Sequence, residues 1–259
     1  MSPLLLKFII TAFVSGESFL IKSKLLRNSF ISYAVMHKRY DMIDSKDEMF
    51  QLCKSIKVGE AVSDELKQKI KESFERVESH ATQQDIRENM QHMEGDWLMI
   101  YSTGPRFFRR IALADMSAKT LQSSEPLVIM TNVNQIVREK SPGLFYYDNI
   151  VSFDGGKEGE PAIPGKHTTN GYAELNYPDS TSTTLRMNVE FYESGAAPTA
   201  AGDSDDFNRL FGFPVGEIIS APLPPNFKSW NDIVFLDNNL RLMRGGNGAL
   251  FVLAKAAEL

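Results

Sequence analysis

At Gly95 the hydrophobic pattern of this chain changes from a helical period to a strand period, and it does not change back before the C-terminus. Ahead of Gly95, apolar residues recur three and four apart: Met49, Leu52, Cys53 and Ile56, then Leu66, Ile70, Phe74 and Val77. Behind it they alternate, as in Trp97, Met99 and Tyr101, in Val133 and Val137 around Gln135, and in Leu185, Met187, Val189 and Phe191. The pattern predicts two or three helices followed by about eight strands with no helix between them. So many antiparallel strands must avoid open edges, and closure into a barrel removes edges completely. A barrel of that size has an interior just filled by side chains or wide enough for one small apolar ligand.

Start and stop signals place the elements. Ser45 with Glu48 reads as a capping box for the first helix, which Gly59 ends; Ser63 with Asp64 and Glu65 opens a second. Thr82 and Asp85 open a third through Ile86, Met90 and Met93. Leu144–Phe153 is aromatic and β-branched, as strands are. Gly171–Tyr177 and Thr184–Tyr192 flank a Pro178-Asp179-Ser180 turn as a hairpin, and Leu240–Arg244 and Ala249–Lys255 flank Gly245-Gly246-Asn247-Gly248 as another. Gly155–His167 and Gly195–Trp230, rich in Gly, Pro and Ala, do not read as strands. The second carries Phe207, Leu210, Phe211, Phe213, Ile218 and Ile219. Such an apolar load suits a lid, a membrane-touching lip, or a short helix packed on the barrel.

Charge divides the chain differently. Residues 1–40 hold six bases (Lys7, Lys22, Lys24, Arg27, Lys38, Arg39) and one acid (Glu17), net +5, so the rest carries net −10 of the overall −5. Residues 1–18 resemble a short secretory signal and 19–40 a basic, Ser-containing transit segment. In that order they resemble the two-part plastid presequences of algae with secondary plastids; the alternative is a basic amphipathic helix that stays on the protein. Residues 41–94 then form the helical lead of one domain and 95–259 its barrel. An acidic body with no basic cluster larger than Arg106, Arg109 and Arg110 disfavours nucleic acid. No uncharged apolar run reaches the roughly 18 residues of a spanning helix. A single cysteine, Cys53, excludes an internal disulfide, and no Cys/His spacing suggests a metal site.

The run Phe235-Leu-Asp-Asn-Asn-Leu-Arg-Leu-Met-Arg-Gly-Gly-Asn-Gly-Ala-Leu-Phe-Val-Leu-Ala-Lys255 resembles the C-terminal signature of the plastid lipid-associated protein/fibrillin family. Leu236, Asp237, Leu240, Arg241, Arg244, Gly245, Gly248 and Leu250–Leu253 occupy its positions. Gly95-Asp96-Trp97-Leu98-Met99-Ile100-Tyr101-Ser102-Thr103 resembles the family's opening strand. Asp148-Asn149, Arg186 with Val189 and Phe191, and Lys54 with Gly59 are weaker matches in the same order. The charged Glu78–Glu94 stands where the family has a Pro-rich stretch. The resemblance implies a lipocalin-like (calycin-type) antiparallel β-barrel that binds a lipid or isoprenoid, of carotenoid or quinone type. It also implies a plastid location, at lipid droplets (plastoglobules) or on thylakoid membranes.

A Gly-x-Trp opening the first strand and an arginine late in the last strand pair is how calycin-type barrels close one end. Either Arg244 or Arg241 is expected on Trp97, with Asp237 fixing the guanidinium. Their spacing of three puts the two arginines on opposite faces of a strand, so one points inward; the alternative is that both face solvent. The candidate ligand-lining residues are Trp97, Met99, Tyr101, Leu185, Met187, Val189 and Phe191, with Asn149 and Arg241 as polar anchors; the same stripe also suits a filled core. No nucleophile–base pairing or phosphate-binding loop is visible, and His37, His80, His92 and His167 read as isolated. The expectation is therefore a non-catalytic binder that needs no cofactor. Two other classes stay open. One is a structural coat of droplets with no ligand cavity; the other is a lipocalin-like enzyme on an isoprenoid, with Asp237 or Glu190 as acid or base.

Overall fold

Residues 41–56, 62–103, 127–156, 161–176, 184–225 and 227–256 are described by the structure, a computed structural model. The leader over 1–40 with His37, the Gly59 stop, the Arg106/Arg109/Arg110 cluster and the Pro178-Asp179-Ser180 turn lie outside these residues.

Helix α1 covers 41–54 and runs straight through Ser45, which is buried inside it. The expected capping box at Ser45 is therefore not formed. Glu48 instead accepts a hydrogen bond from Ser73 Oγ (2.9 Å) and pairs with Arg76 on the next helix. That helix, α2 (Asp64–His80), starts where expected, with Ser63 Oγ accepting from Leu66 N at 3.2 Å. Helix α3 (Gln83–Glu88) opens on a reciprocal capping box. Thr82 Oγ1 accepts from Asp85 N (3.1 Å), and the Asp85 carboxylate accepts from Thr82 N (2.9 Å). A 3₁₀ turn, Met90–His92, leads to Gly95. Gly95 sits at φ +125°, and a Cβ there would meet Lys255 Nζ at 2.5 Å, so the change of period turns on glycine.

The strands are β1 (Gly95–Ser102), β2 (Leu127–Ser141), β3 (Leu144–Gly156), β4 (Ile163–Asn176), β5 (Leu185–Pro198), β6 (Ile219–Pro222), β7 (Lys228–Leu236), β8 (Leu240–Gly245) and β9 (Leu250–Lys255). They form one antiparallel sheet in the order β4-β3-β2-β1-β9-β8-β7-β5-β6, and β4 also pairs with β5. The sheet thus closes as a ring of eight strands; β7 pairs with the first half of β5 and the short β6 with its second half. Both expected hairpins, β4–β5 and β8–β9, are present.

The two stretches that do not read as strands are largely structured, and the second contains the short packed helix that was one of its expected readings. Strand β3 continues to Gly156 and β4 begins at Ile163, while β5 runs to Pro198 and helix α4 (Ser204–Phe211), β6 and the start of β7 fill most of Gly195–Trp230. Their small residues have a packing reason. A Cβ on Gly165 would meet both Phe153 Cζ and Phe207 Cε2 at 2.6 Å, so the strand thins where rings of α4 enter.

Two cores result. The inner one fills the ring with Trp97, Met99, Val133, Val137, Phe145, Tyr147, Val151, Phe153, Leu185, Met187, Val189, Ile233, Met243 and Leu253. The outer one packs Met49, Cys53, Ile70, Phe74 and Val77 of α1 and α2 onto Val234, Phe235, Leu240, Leu242, Leu250 and Val252 of β7, β8 and β9. Strand β8 is shared, which is why almost every one of its residues is buried.

Candidate functional site

Directly opposed residues on antiparallel strands point to the same face of the sheet. Following the register inside the ring gives one continuous row: Lys255 on β9 opposes Trp97 on β1, Trp97 opposes Gln135, Gln135 opposes Asn149, Asn149 opposes Thr169, and Thr169 opposes Ser194. Five of these six side chains are polar, and with Arg241 and His167 they stand in an interior otherwise walled by aliphatic and aromatic groups. Strands of a closed sheet tilt against its axis, so such a row climbs along the interior. It leads from the Trp97 end to the part of β5 next to α4.

The Trp97 end is built around an unusual charge. Arg241 of β8 has no exposed surface, and its guanidinium lies over the Trp97 indole at 4.8 Å from the ring centroid. It donates to Gln135 Oε1 and, weakly, to Met93 Sδ at 3.6 Å. Its Nε has no acceptor, and Arg241 makes no ion pair among the described residues. Burial pulls its pKa down to about 10, so the cation persists at neutral pH. Lys255 Nζ stands over the same indole at 4.2 Å and donates to the Glu94 carbonyl. Burial, and then the nearby Arg241 charge, lower its pKa. Trp97 itself is pinned by Nε1 donating to Met93 O at 2.9 Å, and Met93 and Ile86 pack on this end. The Tyr147 phenol is fully buried and pushed up to about 12 by desolvation, with the Arg241 charge working against the rise.

The other end carries α4. Phe207 and Phe211 are fully buried; their ring centroids lie 6.1 and 5.9 Å from Phe153 and 4.8 Å from each other. Gly212 ends the helix at φ +74°, and Asn208 Nδ2 ties the following chain down through Pro214 O and Glu217 O. Between the two ends, His167 and Ser194 face each other on β4 and β5 with Nε2 and Oγ 2.8 Å apart, both buried. Desolvation lowers the His167 pKa to about 4, so the imidazole is neutral. A base that weak activates a hydroxyl poorly.

The expected lining residues divide. Trp97, Met99, Leu185, Met187 and Val189 are buried in the inner core, Phe191 packs partly buried against it, and Asn149 lies half-buried in the polar row. Tyr101 does not line the interior. A bulge between Met99 and Tyr101 shifts the phase of β1 and puts Tyr101 in the outer core near Cys53. Of the two arginines, Arg241 is the one on Trp97. Arg244 faces out, pairs with Glu78 of α2 through Nε (2.8 Å) and Nη2, and lies over the Phe74 ring at 5.1 Å. Asp237 does not hold the guanidinium: its carboxylate accepts from Asn239 N and Leu240 N, both 2.8 Å, and pairs with Lys46. Glu190, the other candidate acid, pairs with Lys228 at the surface.

Nothing matches this chain among protein-family models, curated proteins or solved structures. Gln135 and Ser194 are not candidates from the sequence, and His167, which reads there as isolated, is instead hydrogen-bonded to Ser194. Gln135 was visible as the polar member of the inward set Val133, Gln135, Val137, whereas His167 lies on a strand that its Gly- and Pro-rich surroundings disguised. Among the described residues no three His, Cys, Asp or Glu side chains stand close enough to hold a metal ion, and no helix is long and apolar enough to cross a membrane.

Proposed function

We propose that this protein is a non-catalytic binder of a lipid or isoprenoid, of carotenoid or quinone type, inside a lipocalin-like barrel. The observation that carries the reading is the interior itself: a closed ring walled by Met, Phe, Tyr and Val side chains, with one polar row through it. Gln135 and Ser194 of this row are buried and hydrogen-bonded to Arg241 and His167, while Asn149 and Thr169 are only half-buried, so polar side chains stand beside an apolar interior. A binding interior uses such groups to orient an apolar ligand.

The site of action is proposed to be a plastid lipid droplet or thylakoid surface, reached through the presequence over 1–40. Val215, Ile218, Phe227 and Trp230 are exposed, Ile218 at 85 %, and Val215 and Ile218 directly follow α4. Because the body is acidic, its docking rests on apolar contact or on uncharged galactolipid rather than on anionic lipid. These same residues are what a coat protein without a cavity would use, so the two readings part on the interior. Met187→Trp fills the ring: a carrier then loses its ligand, and a coat still floats with droplets.

Native mass spectrometry of the recombinant full chain, followed by solvent extraction, tests the reading. An apolar molecule should co-purify, or be taken up from added carotenoid or quinone. A chain that carries none and takes up none ends the carrier reading. A reporter fused to residues 1–40 that stays in the cytosol ends the plastid assignment.

A further inference from the structure

Three tyrosines form a ladder on the outer wall of the ring. Tyr146 on β3 directly opposes Tyr172 on β4, with ring centroids 5.6 Å apart. Tyr192 is the extra residue of a bulge in β5, and its ring comes to 5.1 Å from that of Tyr172. Tyr146 and Tyr192 are each 41 % exposed and Tyr172 is half-buried. The outer core under α1 and α2 takes no residue from these three strands. The ladder already carries a cation. Lys140 of β2 makes no ion pair among the described residues, and its Nζ lies 4.1 Å from the centre of the Tyr172 ring and 5.3 Å from that of Tyr146. A quaternary ammonium suits such ring faces better than a lysine does, because its methyl groups have no N–H to leave unpaired when water is displaced. Carboxylates stand in the next row of the same face: Asp148 opposes Asn170, and Asn170 opposes Glu193 and donates to its carboxylate at 3.3 Å. Desolvation first, and then Tyr172, Asp148 and Glu193, raise the Tyr192 pKa. Tyr192 also adjoins the exposed apolar segment that follows α4. Its carbonyl accepts from Leu223 N at 2.9 Å, and Phe191 N donates to Phe227 O at 3.0 Å. Phe227 and Ile218 are exposed, as are Pro222, Pro224 and Pro225 between them. Cation-accepting rings and an apolar lip are thus contiguous.

We propose that the ladder of Tyr146, Tyr172 and Tyr192 docks a quaternary ammonium headgroup at a net-neutral lipid surface, with Lys140 as the group it displaces. The inference rests on the surface docking proposed above and names the headgroup. In the free protein the Lys140 ammonium occupies the ring faces; at the surface a trimethylammonium takes its place and the lysine returns to water. The apolar segment beside Tyr192 then enters the headgroup–acyl boundary, and the acidic body disfavours anionic lipid.

The test measures co-sedimentation of the full chain with vesicles of phosphatidylcholine and with vesicles of digalactosyldiacylglycerol, which has no ammonium group. Phosphatidylcholine should bind about fivefold more strongly, the difference expected of an exposed cation–π contact. Tetramethylammonium should compete, and ammonium at the same ionic strength should not. Tyr172→Leu keeps an apolar side chain without the ring face and should erase the preference. Lys140→Gln guards against a folding defect in that variant, since it changes only an exposed side chain. It should raise affinity for phosphatidylcholine about threefold by removing the competing cation. A ladder that only holds three strands together would leave vesicle binding unchanged by Lys140→Gln. If the two lipids bind equally, or Lys140→Gln fails to strengthen binding to phosphatidylcholine, the headgroup site is wrong and apolar docking stands. Binding of a trimethyl-lysine peptide in place of phosphatidylcholine would make the partner a protein and overturn the lipid assignment. If neither vesicle binds, the docking reading falls and this inference with it.

Discussion

The two faces of β8 solve the same burial problem in opposite ways. On the outer face, between the sheet and helices α1 and α2, the buried residues are nearly all apolar, and the charges at its margin are matched: Arg244 with Glu78, Lys46 with Asp237, Arg76 with Glu48. On the inner face, three residues from Arg244, Arg241 is buried without an ion pair among the described residues, and Gln135, His167 and Ser194 share its interior. Stability alone accounts for the outer arrangement, since it buries apolar surface and leaves no charge alone. It does not account for the inner one. The proposed binding interior is thus the face on which the fold departs from consistent burial, as folds do at functional sites.

The largest effect should come from the outer core. Phe74→Ala removes a fully buried ring between α2 and the sheet and should lower the unfolding free energy by about 3–5 kcal/mol in urea titration, with affinity for the apolar dye Nile red unchanged in the folded protein. Met187→Ala inside the ring removes a smaller, fully buried side chain and should cost about 2 kcal/mol or more. It should also change dye binding. If the two variants swap behaviour, the division between a structural and a binding core is wrong.

Next comes acid. His167 is held neutral, with its pKa lowered from the usual 6.5 to about 4 by desolvation. Between those values the unfolded chain takes up a proton that the folded chain refuses. The stability His167 contributes is therefore complete above pH 6.5 and is lost as pH falls toward 4. The linked loss is on the order of 3 kcal/mol. Carboxylates also titrate in this window, so the measurement is a difference: wild type should lose more stability than His167→Gln between pH 7 and pH 4.5. Parallel losses would mean that the imidazole is solvated and that the inner polar row is open to water.

Much of this layout is readable from residue order where the physics is local. Ser63 and the Thr82/Asp85 box place α2 and α3, and the alternation of Leu185, Met187 and Val189 with Arg186, Asn188 and Glu190 places β5 and its inner face. The odd spacing of Arg241 and Arg244 puts one on each face, as strand geometry requires. What was not legible depends on distant partners. Tyr101 is turned outward by a bulge, a backbone event that alternation cannot register. The Gly- and Pro-bearing start of β4 looks like a loop until Phe207 and Phe153 are brought against Gly165. Asp237 binds its own turn and Lys46, a choice between local and remote acceptors that the chain order leaves open.

The smallest effect, and the sharpest contrast, comes from changing one side-chain charge beside each arginine. Glu78 and Arg244 form a two-point pair that is about one-quarter to one-third exposed, so solvent screens part of its attraction. Glu78→Gln should lower stability by about 1 kcal/mol or less, and added salt should shrink the difference. On the other face Gln135→Glu adds a charge to a buried site, a change that ordinarily destabilises because an isolated buried carboxylate is costly. Here the site already holds a guanidinium that has no carboxylate partner among the described residues and is bonded to residue 135, so the new carboxylate completes a pair. Thermal unfolding of Gln135→Glu should therefore show no loss of stability at neutral pH. A clear drop would mean that Arg241 is already compensated, and the contrast between the two faces of β8 would lose its electrostatic meaning.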